Sequence, residues 1–118
     1  MAAGSGITPI YQVFREIANM PDEDIELHLL FANKTEEDII LRKELEALEP
    51  RVKLHYILDS PKEDWKGYKG LVTEPILQEI CSLGDPDTLY TFCGPPGLTF
   101  FLRDLFGHKY KGCTFYKF

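Results

Sequence analysis

The stretch AAGSGITPI, residues 2–10, places a glycine-rich turn almost at the start of the chain. Gly4 and Gly6 allow the backbone to turn tightly and to approach a bound group closely. A loop of this kind usually connects the end of a buried strand to a helix whose N–H groups face a phosphate. Only three residues precede Gly4. Taken alone, the stretch fits a structural turn as well as it fits a phosphate-binding loop.

Composition predicts a single globular domain. A chain of 118 residues is long enough to bury about two-thirds of its unfolded surface. Hydrophobic residues make up 44% and charged residues 27%, and no apolar run approaches the ~20 residues of a membrane-spanning helix. We see no signal-peptide pattern. The net charge of −6 disfavours nucleic acid as a partner, because proteins that bind the phosphate backbone concentrate Lys and Arg.

The cysteines Cys81, Cys93 and Cys113 are odd in number and have neither CxxC nor metal-ligand spacing. We therefore expect reduced thiols in an intracellular protein, and no metal site. A single cysteine is usually a small buried hydrophobic residue. The residues of CGPPG (93–97) include no His or Asp that would activate Cys93 as a nucleophile, so a chemical role for Cys93 would depend on its position.

Apolar periodicity predicts alternating strands and helices. Ile10, Val13, Phe14, Ile17 and Ala18 mark one face of a first helix that ends before Pro21. Strands are predicted at 25–33, 51–59, 87–93 and 112–118, and further helices at 35–49, 73–80 and 94–106. The second of these four helices is expected to be continuous, with Thr35 as its cap and acidic residues in its first turn.

This alternation predicts a three-layer α/β fold with a parallel sheet and helices on both faces. Counting a truncated first strand before Gly4, we expect five strands in the order 3-2-1-4-5. In such a sheet the ligand lies beyond the carboxyl ends of the strands, where the order reverses. The loops AGSGITP (3–9) and CGPPG (93–97) would face each other there.

Candidate ligand-binding residues follow from this arrangement. Gly4 and Gly6 would allow close approach of a pyrophosphate, although Pro9 replaces the third glycine of the usual dinucleotide motif and Asn33 stands where an acid is usual. Asp59 would accept both hydroxyls of a ribose and repel a 2′-phosphate; a solvated loop acid is the alternative. From the residues alone, Phe31 fits the core better than a binding site, and Thr35 is at least a helix cap.

Five motifs in order closely resemble the NADH-binding half of NADH–cytochrome b5 reductase, in the ferredoxin–NADP reductase superfamily. They are AGSGITP (3–9), LLFANKTEEDIILRKELEAL (29–48), YILDSPKEDWKGYKG (56–70), CGPPG (93–97) and GCTFYKF (112–118). Assimilatory nitrate reductase has the same module. The resemblance implies two domains, an N-terminal FAD-binding barrel and this pyridine-nucleotide domain, residues 1–118. Because the family's RxYT flavin motif does not occur here, we expect the chain to be the C-terminal part of a longer flavin reductase.

The resemblance also implies roles for individual residues. Gly4, Gly6, Thr8 and Pro9 match the loop under the pyrophosphate and beside the nicotinamide. Phe31, Asn33 and Thr35 match the adenosine side, and Asp59 matches the ribose-binding acid associated with NADH rather than NADPH. Cys93, Gly94, Pro95 and Pro96 match the motif beside the nicotinamide, where Cys93, with Thr8, would help position the ring for catalysis. Phe118 matches the aromatic terminus near the flavin.

The resemblance implies that the parent protein passes hydride from NADH to FAD and then electrons to a heme protein such as cytochrome b5. The chain alone is expected to be inactive. A nitrate-reductase terminus and a flavin-free nucleotide-sensing module are the alternatives. The expected location is intracellular: the cytoplasm, or the cytoplasmic face of the endoplasmic reticulum or mitochondrial outer membrane if the parent carries an anchor.

Overall fold

The computed structural model describes residues 1–21 and 24–118 and has an α/β fold with parallel strands and helices. The strands are β1 (Ala2–Ala3), β2 (Leu27–Asn33), β3 (Val52–Leu58), β4 (Tyr68–Lys69), β5 (Leu89–Phe92) and β6 (Thr114–Lys117). The helices are α1 (Ile7–Ala18), α2 (Arg42–Glu46), α3 (Glu74–Ile80) and α4 (Pro96–Asp104). Short 3-10 turns occur at Gly4–Gly6 and Glu36–Asp38, and a π-helical segment, Leu105–Lys109, follows α4.

The parallel strands form a four-stranded sheet in the order β1-β2-β3-β4 and a two-stranded sheet of β5 and β6. The two sheets meet at an isolated parallel bridge between Ala2 and Cys93. At this bridge the Ala3 N–H donates to the Cys93 carbonyl oxygen at 3.1 Å, and the Cys93 N–H donates to the Met1 carbonyl oxygen at 3.2 Å. The carboxyl ends of β1, β2, β3 and β5 are thereby brought to one edge of the molecule.

Helices cover both faces of the sheet, because successive side chains of a strand point in opposite directions. Leu27, Leu29 and Phe31 of β2 pack with α1 and α2. Leu30 of the same strand packs with α3, α4 and β5 on the other face. The nearly continuous apolar sequence of β2 is therefore explained by burial on both sides.

The strand count differs from the expected five. β4 is an additional strand, in which Tyr68 lies opposite Ile57 and Lys69 opposite Leu58 of β3. It lies between the predicted strand 51–59 and the predicted helix 73–80, where the sequence predicts no regular element. Its two residues are too few to show a hydrophobic alternation, and their pairing with β3 is visible only once the chain has folded.

The prediction of one continuous helix over residues 35–49 is also wrong. Thr35 caps only the 3-10 turn Glu36–Asp38, and α2 does not begin until Arg42. Between them Ile39 is extended and Leu41 has a left-handed backbone, with φ 57° and ψ 23°. The run of three aliphatic residues at 39–41 cannot place every side chain on one helical face, and the break allows two of them to reach the core.

The other helices lie close to their expected positions. α1 begins at Ile7, so Thr8 and Pro9 belong to its first turn and not to a turn before the helix. Ile7, Ile10 and Phe14 form its buried face. α4 begins at Pro96, whose missing N–H is not needed in a first turn. Among residues 1–21 and 24–118, the longest helices fall short of the length and apolar character that a membrane crossing requires.

Candidate functional site

A cleft of about 960 Å³ opens at the carboxyl edge of the strands. Four chain segments line it: Ala3, Gly4 and Ser5; Ala32, Asn33, Lys34, Asp38 and Ile40; Asp59, Gly70, Leu71 and Val72; and Pro95, Gly97, Leu98 and Phe101. Clefts that bind small molecules and cofactors usually measure about 300–1,000 Å³. The structure therefore brings parts of both predicted glycine-rich loops, together with Asn33 and Asp59, to one cleft of suitable size.

The glycines of the two loops have different structural roles. A Cβ at Gly6 would lie 2.3 Å from the Cys93 carbonyl oxygen, and a Cβ at Gly94 would lie 3.0 Å from the Cβ of Ala3. These two glycines allow the loops to pack against each other. Gly4, with φ +55°, and Gly97 have nothing within 4 Å of such a Cβ, and both line the cleft.

Asp59 follows β3 directly and has its exposed side chain at the cleft. Its backbone position is fixed, because its N–H donates to the Asn33 carbonyl oxygen at 3.0 Å and the Ser60 N–H donates to the Lys34 carbonyl oxygen at 2.8 Å. Within residues 1–21 and 24–118, no side chain bonds to the Asp59 carboxylate. A positioned carboxylate without a protein partner can accept hydrogen bonds from a ligand.

Asn33 ends β2 beside Asp59. Its side-chain nitrogen, Nδ2, is buried and has no hydrogen-bond partner among the described residues. A buried amide N–H without a partner lowers stability, so such groups call for a structural or functional explanation.

Two other predicted residues of this region act within the protein. The Phe31 side chain is only 1% exposed and belongs to the core on the α1 side of the sheet. The Thr35 hydroxyl donates to Asp38 Oδ2 at 2.8 Å, and the Thr35 N–H donates to the same oxygen at 3.0 Å. Asp38 lines the cleft, but its carboxylate already accepts these two bonds.

Around the glycine-rich loops, only some predicted residues line the cleft. Gly4 and Pro95 do so, whereas the predicted residues Gly6, Thr8, Pro9, Cys93, Gly94 and Pro96 are not among its lining residues. Cys93 is half-buried and packs against the core on the α1 side. Thr8 is exposed in α1. The proposed catalytic roles of these two residues stay predictions.

Phe118 lies outside the cleft lining. Its N–H donates to the Phe92 carbonyl oxygen at 2.9 Å, and its ring stands edge-on to Tyr116, with the two ring centres 5.2 Å apart. The Phe118 side chain is 42% exposed. The terminus therefore presents two accessible aromatic rings to a neighbouring surface.

Sequence reasoning missed most of the apolar lining of the cleft. Ile40 and Leu98 were predicted to lie in the second and the last helix, Leu71 was given no element, and none of the three was predicted to line a binding site. The sequence feature that could have indicated Leu71 is Gly70, at the end of a loop rich in glycine and lysine. Gly70 has a φ of +93°, and the chain turns there so that Leu71, 73% exposed, lies at the cleft.

A second cavity of about 500 Å³ lies apart from the strand ends. It is bounded by the Tyr56 and Trp65 rings and by Arg42, whose guanidinium carbon lies 5.5 Å from the centre of the Tyr56 ring. Arg42 is already paired with Glu36 and Glu46, at 2.7 and 3.0 Å. In the part of the chain that the structure describes, no three His, Cys, Asp or Glu side chains are grouped as metal ligands.

Comparisons with known proteins agree with the geometry. Residues 1–104 match the family described as oxidoreductase NAD-binding domain. The chain is 46% identical over 100 residues to NADH-cytochrome b5 reductase 1 of Rattus norvegicus, covering 81% of this chain and 33% of that protein. It is 45% identical over 101 residues to the NADH nitrate reductase of Petunia hybrida, covering 81% of this chain and 11% of that protein.

Solved structures give the same result. The cytochrome b5 reductase domain of Ulva prolifera nitrate reductase superposes with a TM-score of 0.83 at 37% identity, covering 99% of this chain and 47% of that one. The CS-b5R domains of human Ncb5or, in the NAD⁺ form, give a TM-score of 0.83 at 29% identity, covering 99% of this chain and 35% of that one. This chain thus spans about a third or less of the two sequence relatives described above.

Proposed function

The chain belongs to the oxidoreductase NAD-binding domain family, and we propose that it is the NADH-binding domain of a flavin-dependent reductase. In this proposal the complete protein passes hydride from NADH to FAD, and then electrons to a heme protein such as cytochrome b5. The rat and Petunia relatives, one a cytochrome b5 reductase and the other a nitrate reductase, support a reductase of this class.

The cleft at the carboxyl edge is the observation that carries the proposal. It combines a glycine at each loop with the Asp59 carboxylate, which has no side-chain partner among the described residues, and with the end of β2 at Asn33. This combination fits a dinucleotide, which has a pyrophosphate, hydroxyl-bearing riboses and flat bases. The residues present therefore fit NADH.

Each part of the cleft is assigned one part of the nucleotide. The backbone at Gly4 and Ser5 faces the pyrophosphate, because no Cβ at Gly4 blocks close approach. Asp59 accepts hydrogen bonds from the adenosine ribose, and its negative charge opposes a 2′-phosphate. Pro95 and Gly97 border the nicotinamide half, with Cys93 and Thr8 as positioning residues nearby.

NADH supplies a hydride from its nicotinamide ring, and FAD accepts it; this redox chemistry belongs to the two cofactors. The contribution of this chain is to bind NADH and to orient its nicotinamide. For FAD, the chain offers the exposed rings of Tyr116 and Phe118, while the remaining contacts are assigned to another domain of the complete protein. The proposed location is the cytoplasm or a cytoplasmic membrane face.

The predicted sheet order 3-2-1-4-5 is part of this proposal. In the labels of the observed strands it corresponds to β3-β2-β1-β5-β6. The bonds between β1 and Cys93 support one continuous sheet in which β1 lies between β2 and β5, with β4 added beside β3. In that arrangement the cleft crosses the position where strand order reverses. The nucleotide would extend from the β3 side, at Asp59, to the β5 side, at Pro95.

A nitrate-reductase terminus is the second candidate, supported by the 45% identity to the Petunia protein. The two candidates share the NADH site and differ in the final electron acceptor. Assays of the complete protein separate them: cytochrome b5 reduction without nitrate reduction supports the first, and NADH-dependent nitrate reduction supports the second.

The NADH site is tested by titrating the isotopically labelled chain with NADH and recording amide NMR shifts. We expect the largest shifts at Gly4, Asn33, Asp59 and Gly97, and no reduction of ferricyanide by the chain alone. FAD without NADH serves as the comparison ligand. An absence of shifts, or shifts confined to the second cavity around Tyr56 and Trp65, would contradict the proposed function.

A further inference from the structure

Leu41 has an unusual backbone conformation beside the cleft. Among the residues that the structure describes, it is the one non-glycine residue with positive φ, at 57°. Side chains other than glycine, asparagine and aspartate rarely adopt this conformation, because the Cβ crowds the backbone. Such residues are concentrated at ligand sites, where the surrounding structure holds them in place.

The left-handed conformation at Leu41 places the three consecutive aliphatic side chains of residues 39–41 in two environments. Ile39 is 8% exposed, and Leu41 packs against the same core cluster on the α1 side of the sheet. Ile40, between them, is 45% exposed and lines the cleft. A regular helix would not alternate the three side chains in this way, so the strained backbone turns Ile40 away from the core.

The surroundings of Ile40 indicate what it contacts. Its segment follows β2, and Asn33, Asp59 and Leu71 line the same cleft. Leu71 is 73% exposed, so the cleft has two accessible aliphatic side chains together with the Asp59 carboxylate, which has no side-chain partner among the described residues. Aliphatic groups suit the flat face of a heteroaromatic ring, while the carboxylate suits ribose hydroxyls.

We propose that Ile40 is a specificity-determining residue that packs on the adenine base, held in the cleft by the left-handed conformation of Leu41. This inference rests on the proposed NADH site and adds a residue and a selectivity to it. Contact with the base strengthens binding of ligands that contain adenosine and leaves binding of the nicotinamide half unchanged.

The test compares ADP-ribose with nicotinamide mononucleotide, using Ile40→Ala and the matched control Ile25→Ala in this chain. Ile25 is 46% exposed, nearly the same as Ile40, but it precedes β2 at the opposite edge of the sheet. Dissociation constants come from NMR titration and folding from thermal melts. We expect Ile40→Ala to raise the dissociation constant for ADP-ribose about tenfold, given about fourfold for each buried methylene-sized group and partial burial.

Three further results are expected. Ile40→Val raises the same constant about two- to fourfold, since it removes one carbon. Nicotinamide mononucleotide binds wild type and Ile40→Ala equally, and Ile25→Ala binds both ligands as wild type does. Melting temperatures of the variants stay close to that of wild type, because both isoleucines are largely accessible.

The possible failures are distinguishable. If wild type binds no ADP-ribose, the proposed NADH site and this inference are both overturned. If wild type binds it and Ile40→Ala binds it as tightly as Ile25→Ala does, only the role of Ile40 is overturned. Equal weakening of both ligands by Ile40→Ala would mean that the whole cleft loosens, which also overturns the base contact.

Discussion

The carboxylates at the two ends of the β2–β3 pair differ in their hydrogen bonding. At the amino end, the Glu26 carboxylate accepts bonds from Lys53 Nζ and His28 Nε2, each at 2.8 Å. At the carboxyl end, where Asn33 lies opposite Leu58, the Asp59 carboxylate has no side-chain partner among the described residues. The strands are in register over their whole length, so the difference comes from the side chains and loops at each end.

Pairing has a visible electrostatic effect at the amino end. Hydrogen bonds from Lys53 and then from His28 lower the pKa of the Glu26 carboxyl to about 2. At the carboxyl end no such partner is provided for Asp59. Buried nitrogens without partners occur in both regions, at Asn33 Nδ2 and at His28 Nδ1, so they do not distinguish the two ends. The carboxylates do: that of Glu26 is used within the protein, whereas that of Asp59 stays available at the cleft, so we interpret the carboxyl edge as a binding surface.

The largest expected effect comes from a substitution that disrupts the packing of the two glycine-rich loops at the carboxyl edge. In Gly6→Ala, the new Cβ would lie 2.3 Å from the Cys93 carbonyl oxygen and 2.6 Å from its carbonyl carbon, both backbone atoms. Because neither loop can yield by rotating a side chain, we expect the free energy of unfolding to fall by about 3 kcal/mol, the upper end for overpacking. Urea denaturation measures it.

Gly97→Ala is the matched control for Gly6→Ala, because a Cβ there meets nothing within 4 Å. Its stability should stay within about 0.5 kcal/mol of wild type, as for most surface substitutions. Equal losses in the two variants would mean that the two loops are not packed as tightly as the structure indicates.

The next effect concerns nucleotide choice at the same edge. Asp59→Ser removes a carboxylate that would accept charge-assisted hydrogen bonds from the ribose, so NADH affinity should fall by about 1.5–3 kcal/mol. NADPH affinity should rise relative to it, because the like charge facing the 2′-phosphate is gone. Fluorescence titration of the chain with both nucleotides gives the two dissociation constants.

Asp64→Ser is the control for Asp59→Ser. Asp64 is an exposed acid of the same β3–β4 connection, but it borders the second cavity and not the cleft. It should leave both affinities unchanged. If the ratio of the NADH and NADPH dissociation constants is unaltered in Asp59→Ser, then Asp59 is a solvated loop acid that does not determine nucleotide choice.

The sequence was sufficient to predict the parts of the fold that depend on local pattern. The apolar runs of β2 and β3 and the face of α1 marked by Ile10 and Phe14 are confirmed by burial. Gly4, Asn33, Asp59 and Pro95 were predicted as site residues, and all four line the cleft. Their proximity follows from parallel strands that end at a common edge, a property of the fold class.

The remaining features depend on tertiary contacts. The two-residue strand β4 exists because it pairs with β3, and the helix break at Leu41 exists because Ile39 and Leu41 both find core partners. Neither feature leaves a periodic signal. Packing against the folded sheet overrides local helix propensity in both places, and this is why the apolar wall formed by Ile40 and Leu71 was missed.

The smallest expected effect tests the same strand pair through pH, away from the cleft. The ring of His28, near the amino end of β2, stacks with that of His55, at the centre of β3, with centres 5.8 Å apart and planes 12° from parallel. Burial, and then the nearby charges of His28 and Lys53, lower the pKa of His55 below its usual 6.5. His55 Nε2 is buried and has no acceptor within residues 1–21 and 24–118, so a proton added there would gain no hydrogen bond.

A lowered pKa fixes the sign of the pH effect. Well above pH 6.5 the His55 ring is neutral in both folded and unfolded chains, and its contribution to stability is complete. As the pH falls below 6.5, the unfolded chain takes up the proton more readily, so stability is lost progressively through the folded pKa. Urea denaturation at several pH values between 7.5 and 5 should show wild type losing more stability than His55→Gln, by a modest amount because the ring is half exposed.

The Met1 amino group, whose pKa burial lowers to about 5, titrates in both proteins and cancels from the difference. Identical pH profiles for wild type and His55→Gln would show that the histidine pair tolerates charge.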